Sequence, residues 1–290
     1  MKLRRLVTVP AVAALLALTV GQAAAVQYGT PDTANAYPWV GLMVAYDEDG
    51  QPLWRCTGSL IDEDTFLTAG HCVGEDTDGA EPATAGIGFD VGPIVTDPVY
   101  LANLEGEAED LCDGVTGYPC ADYDAYGTAF EHPGWTGALT IPQTYDIGLV
   151  TDLVWTGDMP SSFGEVAPEG YLDDLAYENG KGNVEFTVVG YGLQLVKPVE
   201  LGEKTRYVGT VSLVNLRSAL AGGWNLHYSS NPGQGHGGSG GTCFGDSGGP
   251  VIHDGYIVAV NSFVLNSNCK GAGFGYRTDT DVAQDFIFGS

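Results

Sequence analysis

The pattern of apolar and polar positions predicts a protein built from short β-strands. Runs of alternating or β-branched residues recur along the chain, separated by Gly, Pro and Asp. The clearest runs cover residues 40–46, 184–189, 208–214 and 256–260. Short strands with turn residues between them are typical of all-β proteins. We therefore predict an all-β fold.

Helical patterns occur only at the two ends of the chain. Near the C-terminus, residues 280–288 place Val282, Phe286 and Ile287 where they could form one apolar face of a helix. At the N-terminus, residues 1–25 begin with basic side chains, continue through an apolar run and finish with Ala23 and Ala25 in an A-x-A arrangement. This order predicts a secretory signal peptide.

A membrane anchor is the alternative for the N-terminal segment. Thr8, Pro10 and Thr19 interrupt its apolar run, which is shorter than the roughly 20 residues that a spanning helix needs. We therefore favour cleavage and secretion, and expect no stable membrane association.

The chain is strongly acidic, with a formal net charge of −26. This charge disfavours nucleic acid and anionic membranes as partners. The acidic residues are scattered through loops, so we read the charge as a source of solubility outside the cell rather than as steering of basic substrates.

Six cysteines lie beyond the predicted signal peptide, an even number that fits three disulfides formed in an oxidising compartment. Spacing alone leaves their pairing open. Structural zinc is disfavoured because no C-x-x-C pair occurs, and the acidic loops show no EF-hand spacing. We expect neither a metal nor a cofactor.

Three motifs carry the chemistry. Ser247 lies in GDSGGP (residues 245–250), His71 in TAGHC (residues 68–72), and Asp146 in YDIGLV (residues 145–150). A histidine near its ordinary pKa can take the proton of a serine hydroxyl, and a carboxylate can hold that histidine in the required tautomer. Each residue alone has an ordinary structural explanation, but together they supply nucleophile, base and orienting acid.

These motifs, in this order, resemble the chymotrypsin/trypsin-like serine proteases, peptidase family S1, and in particular the secreted bacterial type. The resemblance implies one protease domain over residues 26–290. It would be made of two six-stranded antiparallel β-barrels, about 26–150 and 151–290, with the active site between them and a C-terminal helix. It also implies that the amide N–H groups of Gly245 and Ser247 form the oxyanion hole, and that protein or peptide substrates are cleaved.

The same resemblance implies the disulfide pairing. It selects Cys56–Cys72 and Cys243–Cys269, which leaves Cys112 with Cys120. The interval between His71 and Asp146 is longer than a minimal member of the family needs, and we place the extra residues at 76–130. This insertion could form one wall of the substrate cleft or be an ordinary surface excursion.

The Ser247 motif also satisfies G-x-S-x-G, the nucleophile elbow of α/β-hydrolases. In that fold the acid and then the histidine follow the serine, whereas only His253 follows here. His253, His132, His227 and His236 lie outside the catalytic motifs, and we assign them no role in the chemistry. The order His, Asp, Ser favours the protease interpretation.

Activation and specificity give two further expectations. Cleavage after Ala25 would expose the α-amino group of Val26, and by resemblance this amine would pair with Asp246 and order the oxyanion hole. The start Val-Gln-Tyr-Gly departs from the family's Ile-Val-Gly-Gly, and the pairing would weaken at alkaline pH.

The substrate pocket is predicted from Gly241, Thr242 and Gly273. By resemblance, Gly241 stands where trypsins carry an aspartate, and the absence of that aspartate favours an apolar or aromatic P1 side chain.

A non-catalytic protease homologue that binds a partner through the cleft is the competing hypothesis. The complete set of His71, Asp146 and Ser247 favours catalysis over this alternative.

Overall fold

The computed structural model describes residues 26–120, 122–178, 184–194, 196, 202–230 and 240–289. The predicted signal peptide at residues 1–25 and His236 lie outside the described residues. Among the described helices, none is long and apolar enough to span a bilayer.

The first half of the chain forms a closed antiparallel barrel of six strands. A two-residue strand, β1 (Thr30–Pro31), comes before it. The barrel strands are β2 (Val40–Tyr46), β3 (Pro52–Leu60), β4 (Phe66–Thr68), β5 (Thr84–Gly88), β6 (Ala125–Glu131) and β7 (Gly148–Trp155). They close in the order β2-β3-β4-β7-β6-β5. Each fully buried Leu, Ile or Phe in this core stabilises the fold by about 1.5–3 kcal/mol.

The second half forms another barrel of six antiparallel strands. After the short β8 (Glu165–Val166), the strands are β9 (Glu185–Gly190), β10 (Tyr207–Asn215), β11 (Asn225–Ser230), β12 (Pro250–His253), β13 (Tyr256–Val264) and β14 (Gly271–Arg277). Their order is β9-β10-β11-β14-β13-β12, and β12 pairs back with β9 to close the barrel. The all-β fold of two six-stranded barrels is therefore confirmed.

The predicted strand runs agree closely with the observed strands. Residues 40–46 are β2 without change, while 184–189 and 208–214 fall within one residue of β9 and β10 at each end. Strand β1 pairs with β10 of the second barrel, and β7 of the first barrel continues to Trp155.

Four helices are described: α1 (Gly70–Val73), α2 (Pro98–Glu105), α3 (Tyr171–Glu178) and α4 (Asp281–Phe288). The C-terminal helix was predicted, and the Thr280 hydroxyl caps it by accepting the Ala283 amide N–H. The prediction that helices occur only at the ends of the chain was wrong for α1, α2 and α3. Local signals explain α2, because Asp97 caps its first turn and Pro98 begins it.

A buried arginine joins the two halves. Arg206, just before β10, is fully buried, and its Nε donates to Asp32 Oδ2 at 3.0 Å. Its Nη1 donates to the backbone oxygen of Val40 in the first barrel at 3.0 Å. Because an unpaired buried charge costs several kcal/mol, these bonds fix the N-terminal segment and both barrels in one arrangement.

Candidate active site

His71 and Asp146 meet at the edge of the first barrel. His71 lies on α1, directly after β4, and Asp146 lies two residues before β7, which pairs with β4. The Nδ1 of His71 is 2.9 Å from Oδ2 and 3.0 Å from Oδ1 of Asp146. The backbone N–H of His71 also donates to Asp146 Oδ1 at 2.8 Å. This carboxylate therefore fixes both the ring and the backbone of the histidine.

The charges at this contact shift both pKa values. Burial opposes the charged form of each group, but the neighbouring opposite charge outweighs it. The pKa of His71 is raised above its ordinary value by the charge and hydrogen bond of Asp146. The pKa of Asp146 is lowered by His71 and by further hydrogen bonds. Asp146 is therefore a carboxylate over the range in which His71 exchanges its proton.

Sequence reasoning missed Ser262. Its hydroxyl donates a hydrogen bond to Asp146 Oδ2 and is buried on β13 of the second barrel. A signal was present: Asn261 and Ser262 are adjacent polar residues in an otherwise apolar strand, which is unusual in a barrel core. The bond means that the second barrel helps to hold the acid contributed by the first.

Ser247 lies in a turn that the first barrel holds in place. Thr57 of β3 donates its N–H to Ser247 O at 2.8 Å and its hydroxyl to Gly245 O at 2.7 Å. Gly245 and Gly248 adopt φ values of +94° and +77°, which favour glycine. A Cβ on Gly248 would also collide with Thr68 and Thr57, so the motif needs glycine there.

The turn leaves two backbone donors available. Among the contacts of the described residues, the amide N–H groups of Gly245 and Ser247 reach no protein acceptor. Ser247, Gly245 and His71 line one cavity of about 520 Å³. The residues predicted as nucleophile, base and oxyanion donors therefore share a single open space between the barrels.

One predicted pocket residue lines that cavity. Thr242 faces it, near Phe244, Phe263 and Val264. Gly241 and Gly273 are outside its described lining, because Gly241 packs against Ser230 and Gly273 against the Tyr228 ring. Behind the lining, the Tyr228 hydroxyl lies 2.7 Å from Thr242 Oγ1 and donates to Asn261 Oδ1 at 2.9 Å.

Within the described residues, no hydrogen bond or ion pair joins the predicted activation pair, Val26 and Asp246. Val26 is fully buried in the core of the second barrel, and Gln27 forms a β-bridge with Gly241. The buried carboxylate of Asp246 accepts hydrogen bonds from the amides of Gly192 and Cys243, both at 2.9 Å. Burial raises the pKa of Asp246 to about 7 despite these bonds.

All three disulfides have the predicted pairing: Cys56–Cys72, Cys112–Cys120 and Cys243–Cys269. The first joins β3 to α1 directly beside His71. Within the described residues, the one cluster with three possible metal ligands is Cys56, His71 and Cys72. Its two sulfurs are consumed by the disulfide.

His132, which was predicted to have no role in the chemistry, is held by ring packing and a backbone hydrogen bond. His132 stacks on Tyr145 at 4.8 Å, and the Phe286 ring of α4 lies 4.9 Å from the His132 ring. The Nδ1 of His132 accepts the Gly134 amide N–H at 2.9 Å, and burial lowers its pKa. His132 is therefore a neutral packing group behind Asp146.

Two closed barrels with a His–Asp contact and a glycine-flanked serine in the cleft between them define the chymotrypsin-like class of fold and site. A family model described as trypsin matches residues 26–87 and 129–287. The chain belongs to the trypsin family. Residues 88–128, which the match omits, fall inside the predicted insertion at 76–130.

Individual relatives are more distant. Phenoloxidase-activating enzyme 1 from Spodoptera litura is 29% identical over 126 residues, which cover 42% of this chain and 29% of that protein. This chain thus spans less than a third of the length of the curated relative. Among solved structures, HL collagenase has a TM-score of 0.61 at 16% identity, over 91% of this chain and 99% of the other. Human heparin binding protein has a TM-score of 0.54 at 17% identity, over 90% and 95%. These similarities show the fold.

Proposed function

We propose that this chain is a secreted serine endopeptidase that hydrolyses peptide bonds through an acyl-enzyme. The observation that carries the proposal is the contact of His71 Nδ1 with the Asp146 carboxylate in a cavity that Ser247 also lines. The predicted signal peptide and the three disulfides support secretion.

In the proposed reaction, His71 takes the hydroxyl proton of Ser247 as its oxygen attacks the substrate carbonyl. The carbonyl oxygen becomes negative and accepts hydrogen bonds from the free N–H groups of Gly245 and Ser247. Removing one such donor typically costs about 2.7–4 kcal/mol of transition-state stabilisation. His71 then gives its proton to the leaving amine, and water releases the acyl group by the same steps.

The cavity wall supports an apolar or aromatic P1 preference. Phe244, Phe263 and Val264 line the cavity together with Thr242. The one carboxylate of its described lining, Asp76, accepts amides of its own loop. Burial of a large apolar side chain against the apolar residues would supply binding energy.

The position of the N-terminal segment supports an activation role for Val26. Gln27 Nε2 lies 3.9 Å from Cys243 Sγ, and the Cys243 N–H donates to Asp246. The start of the mature chain would therefore be close to a buried carboxylate that forms no ion pair within 4.0 Å among the described residues, although the charge of Arg55 opposes the rise of its pKa. Release of the Val26 amine would supply a directly paired cation.

A fluorophosphonate probe tests the function directly. Protein beginning at Val26 should be labelled at Ser247, and neither Ser247→Ala nor His71→Ala should react, while circular dichroism checks their folding. A diverse peptide library read by mass spectrometry should show cuts after aromatic or Leu residues that Ser247→Ala abolishes. Cuts after Arg or Lys would contradict the proposed apolar or aromatic P1 preference.

The alternative is a non-catalytic homologue that binds a partner through the cleft. Human heparin binding protein has this fold, and its name describes binding rather than catalysis. The net charge of −26 disfavours a polyanion as the partner of this chain. Folded, mature protein that neither reacts with the probe nor cuts any peptide would favour the alternative.

A further inference from the structure

Arg55 on β3 lines the catalytic cavity and forms no ion pair with any described residue. Its Nε is buried and has no hydrogen-bond partner. Arg206 and Arg277 each form an ion pair with a buried carboxylate, but no carboxylate of the described residues lies within 4.0 Å of Arg55. A partly desolvated guanidinium with an unused donor is costly unless an anion binds it.

The guanidinium lies beside Gly245, one of the two predicted oxyanion donors. Its Cζ and Nη2 atoms are each 3.4 Å from the position that a Cβ on Gly245 would occupy. A substrate carbonyl bound by the Gly245 N–H would therefore be close to Arg55. A charge at this location acts on the residues next to the scissile bond.

The wall that carries Arg55 is attached to His71. Cys56 is bonded to Cys72, and the indole N–H of Trp54 donates to Cys72 O at 2.9 Å. In the proposed reaction His71 delivers a proton to the leaving amine, so the leaving group must lie on the His71 side of the carbonyl. Arg55 therefore borders the leaving-group side of the cleft.

A second cation reinforces the positive potential at this wall. Lys204 donates to Thr96 Oγ1 at 2.8 Å, and its ammonium group lies 4.5 Å from the centre of the Tyr118 ring. Burial and the charge of Arg55 lower the pKa of Lys204 to about 8. Two neighbouring cations are unusual in a chain with a net charge of −26.

The nearby acids of the described residues bind elsewhere. The charge of Arg55 opposes the rise of the Asp246 pKa, but both oxygens of Asp246 accept backbone N–H groups. Asp76 lines the same cavity, but its Oδ1 accepts the amides of Asp78 and Ala80 in its own loop. The backbone of that loop also lies close to Gly137. No acid of the described residues is thus paired with Arg55, and an anion from the substrate would fit it.

We propose that Arg55 is a specificity-determining residue that selects Asp or Glu at the first or second substrate position after the scissile bond. The inference rests on the proposed endopeptidase function and adds the substrate class on the leaving-group side. Peptide-bond hydrolysis itself is unchanged, since Arg55 contributes binding to the carboxylate and transfers no proton.

Peptides that differ only by Glu or Gln at these two positions test the proposal. The wild-type ratio of kcat/KM should favour Glu by roughly tenfold at low salt, as expected for a charge-assisted hydrogen bond. Arg55→Gln should bring the ratio close to one, and Arg55→Lys should keep part of it. Arg217→Gln removes an exposed positive charge on the second barrel and should keep the full ratio. Each ratio is internal to one variant, so differences in folded fraction cancel.

A binding measurement separates failure of this inference from failure of the function. Ser247→Ala protein, with and without Arg55→Gln, is titrated with the same peptides by fluorescence anisotropy. Cleavage without a Glu preference, or equal binding of both peptides, would overturn the role of Arg55 while leaving any observed peptidase activity in place. Absence of cleavage together with Arg55-dependent binding of the Glu peptide would reject the peptidase and retain the recognition of a carboxylate.

Discussion

Ser262 donates a hydrogen bond to Asp146 across the junction of the two barrels. The acid that orients His71 therefore has one partner in its own barrel and another in the second. The position of the carboxylate depends on how β13 packs against the segment before β7. Nucleophile and acid are thus coupled through the same strand, because the Gly248 amide in the Ser247 turn donates to Asn261 O, next to Ser262.

We expect Ser262→Ala to lower kcat about tenfold while leaving KM for a short peptide nearly unchanged. The substitution removes a hydrogen bond to a charged group, which is worth about 1.5–3 kcal/mol, and frees the carboxylate to rotate. Steady-state kinetics with thermal unfolding as the stability check measures the effect. Ser161→Ala, at an exposed loop position, is the matched control. Unchanged kcat in Ser262→Ala would show that Asp146 is held without it.

The raised pKa of His71 predicts the acid limb of the activity profile. His71 must be neutral to act as a base, so kcat/KM should rise with pH through a midpoint above 6.5. Asp146→Asn removes the charge that raises this pKa, so its midpoint should shift to lower pH. Its kcat should fall by about 10⁴-fold, as in other triad enzymes. A midpoint that stays fixed in Asp146→Asn would contradict the assignment of His71.

The buried Asp246 predicts how stability depends on pH before the N-terminus is released. Its folded pKa of about 7 lies above the ordinary value of 3.8, so the folded state holds the proton more tightly than the unfolded state. The free energy of unfolding of the form with residues before Val26 should fall between about pH 4 and 7, by at most about 4 kcal/mol. Asp246→Asn should remove this slope, as measured by denaturant unfolding at several pH values.

In protein that begins at Val26, an amine paired with Asp246 should change how the free energy of unfolding depends on pH. The pair would lower the pKa of Asp246 and raise that of the amine. Its stabilisation is present below the ordinary amine pKa and is lost as pH rises through the raised value. Loss of activity at alkaline pH should therefore be specific to the mature form. Full activity with extra residues before Val26 would refute the activation role.

The disulfides should differ in their effect on activity more than in their effect on stability. Loop-closure entropy predicts losses of about 3 kcal/mol for Cys56–Cys72 and about 2.5 kcal/mol for Cys112–Cys120. Replacing Cys56 and Cys72 by serine should also reduce kcat, because that bond holds the helix of His71 against β3. The Cys112/Cys120 double variant, altered outside the matched family region, should keep its kcat. The kcat values of the two double variants are compared at a temperature where both are folded.

The sequence revealed what depends on local motifs. Residues around His71, Asp146 and Ser247 are distinctive at short range, and alternation predicted the strands because each is buried on one or both faces. Ser262 was missed because its role depends on a register that brings it to Asp146, 116 residues away. Gly241 and Gly273 were placed by alignment of neighbouring motifs, which does not specify where the Tyr228 ring lies.

Arg55 illustrates another limit of the sequence. A lone arginine before a cysteine in a strand has no signature of its own. The structure alone shows that the second barrel places Gly245 beside Arg55 and that the buried Nε of Arg55 has no hydrogen-bond partner among the described residues. Such properties belong to the packing of distant segments, and local patterns do not encode them.

The His132 ring stacks on Tyr145, and the Phe286 ring of α4 lies 4.9 Å from His132 in a tilted arrangement. These contacts connect α4 to the residue that precedes Asp146. Helix α4 thereby supports the orienting acid without contributing a catalytic residue. Loss of the Phe286 ring would leave every catalytic motif in place and still leave that acid incompletely supported.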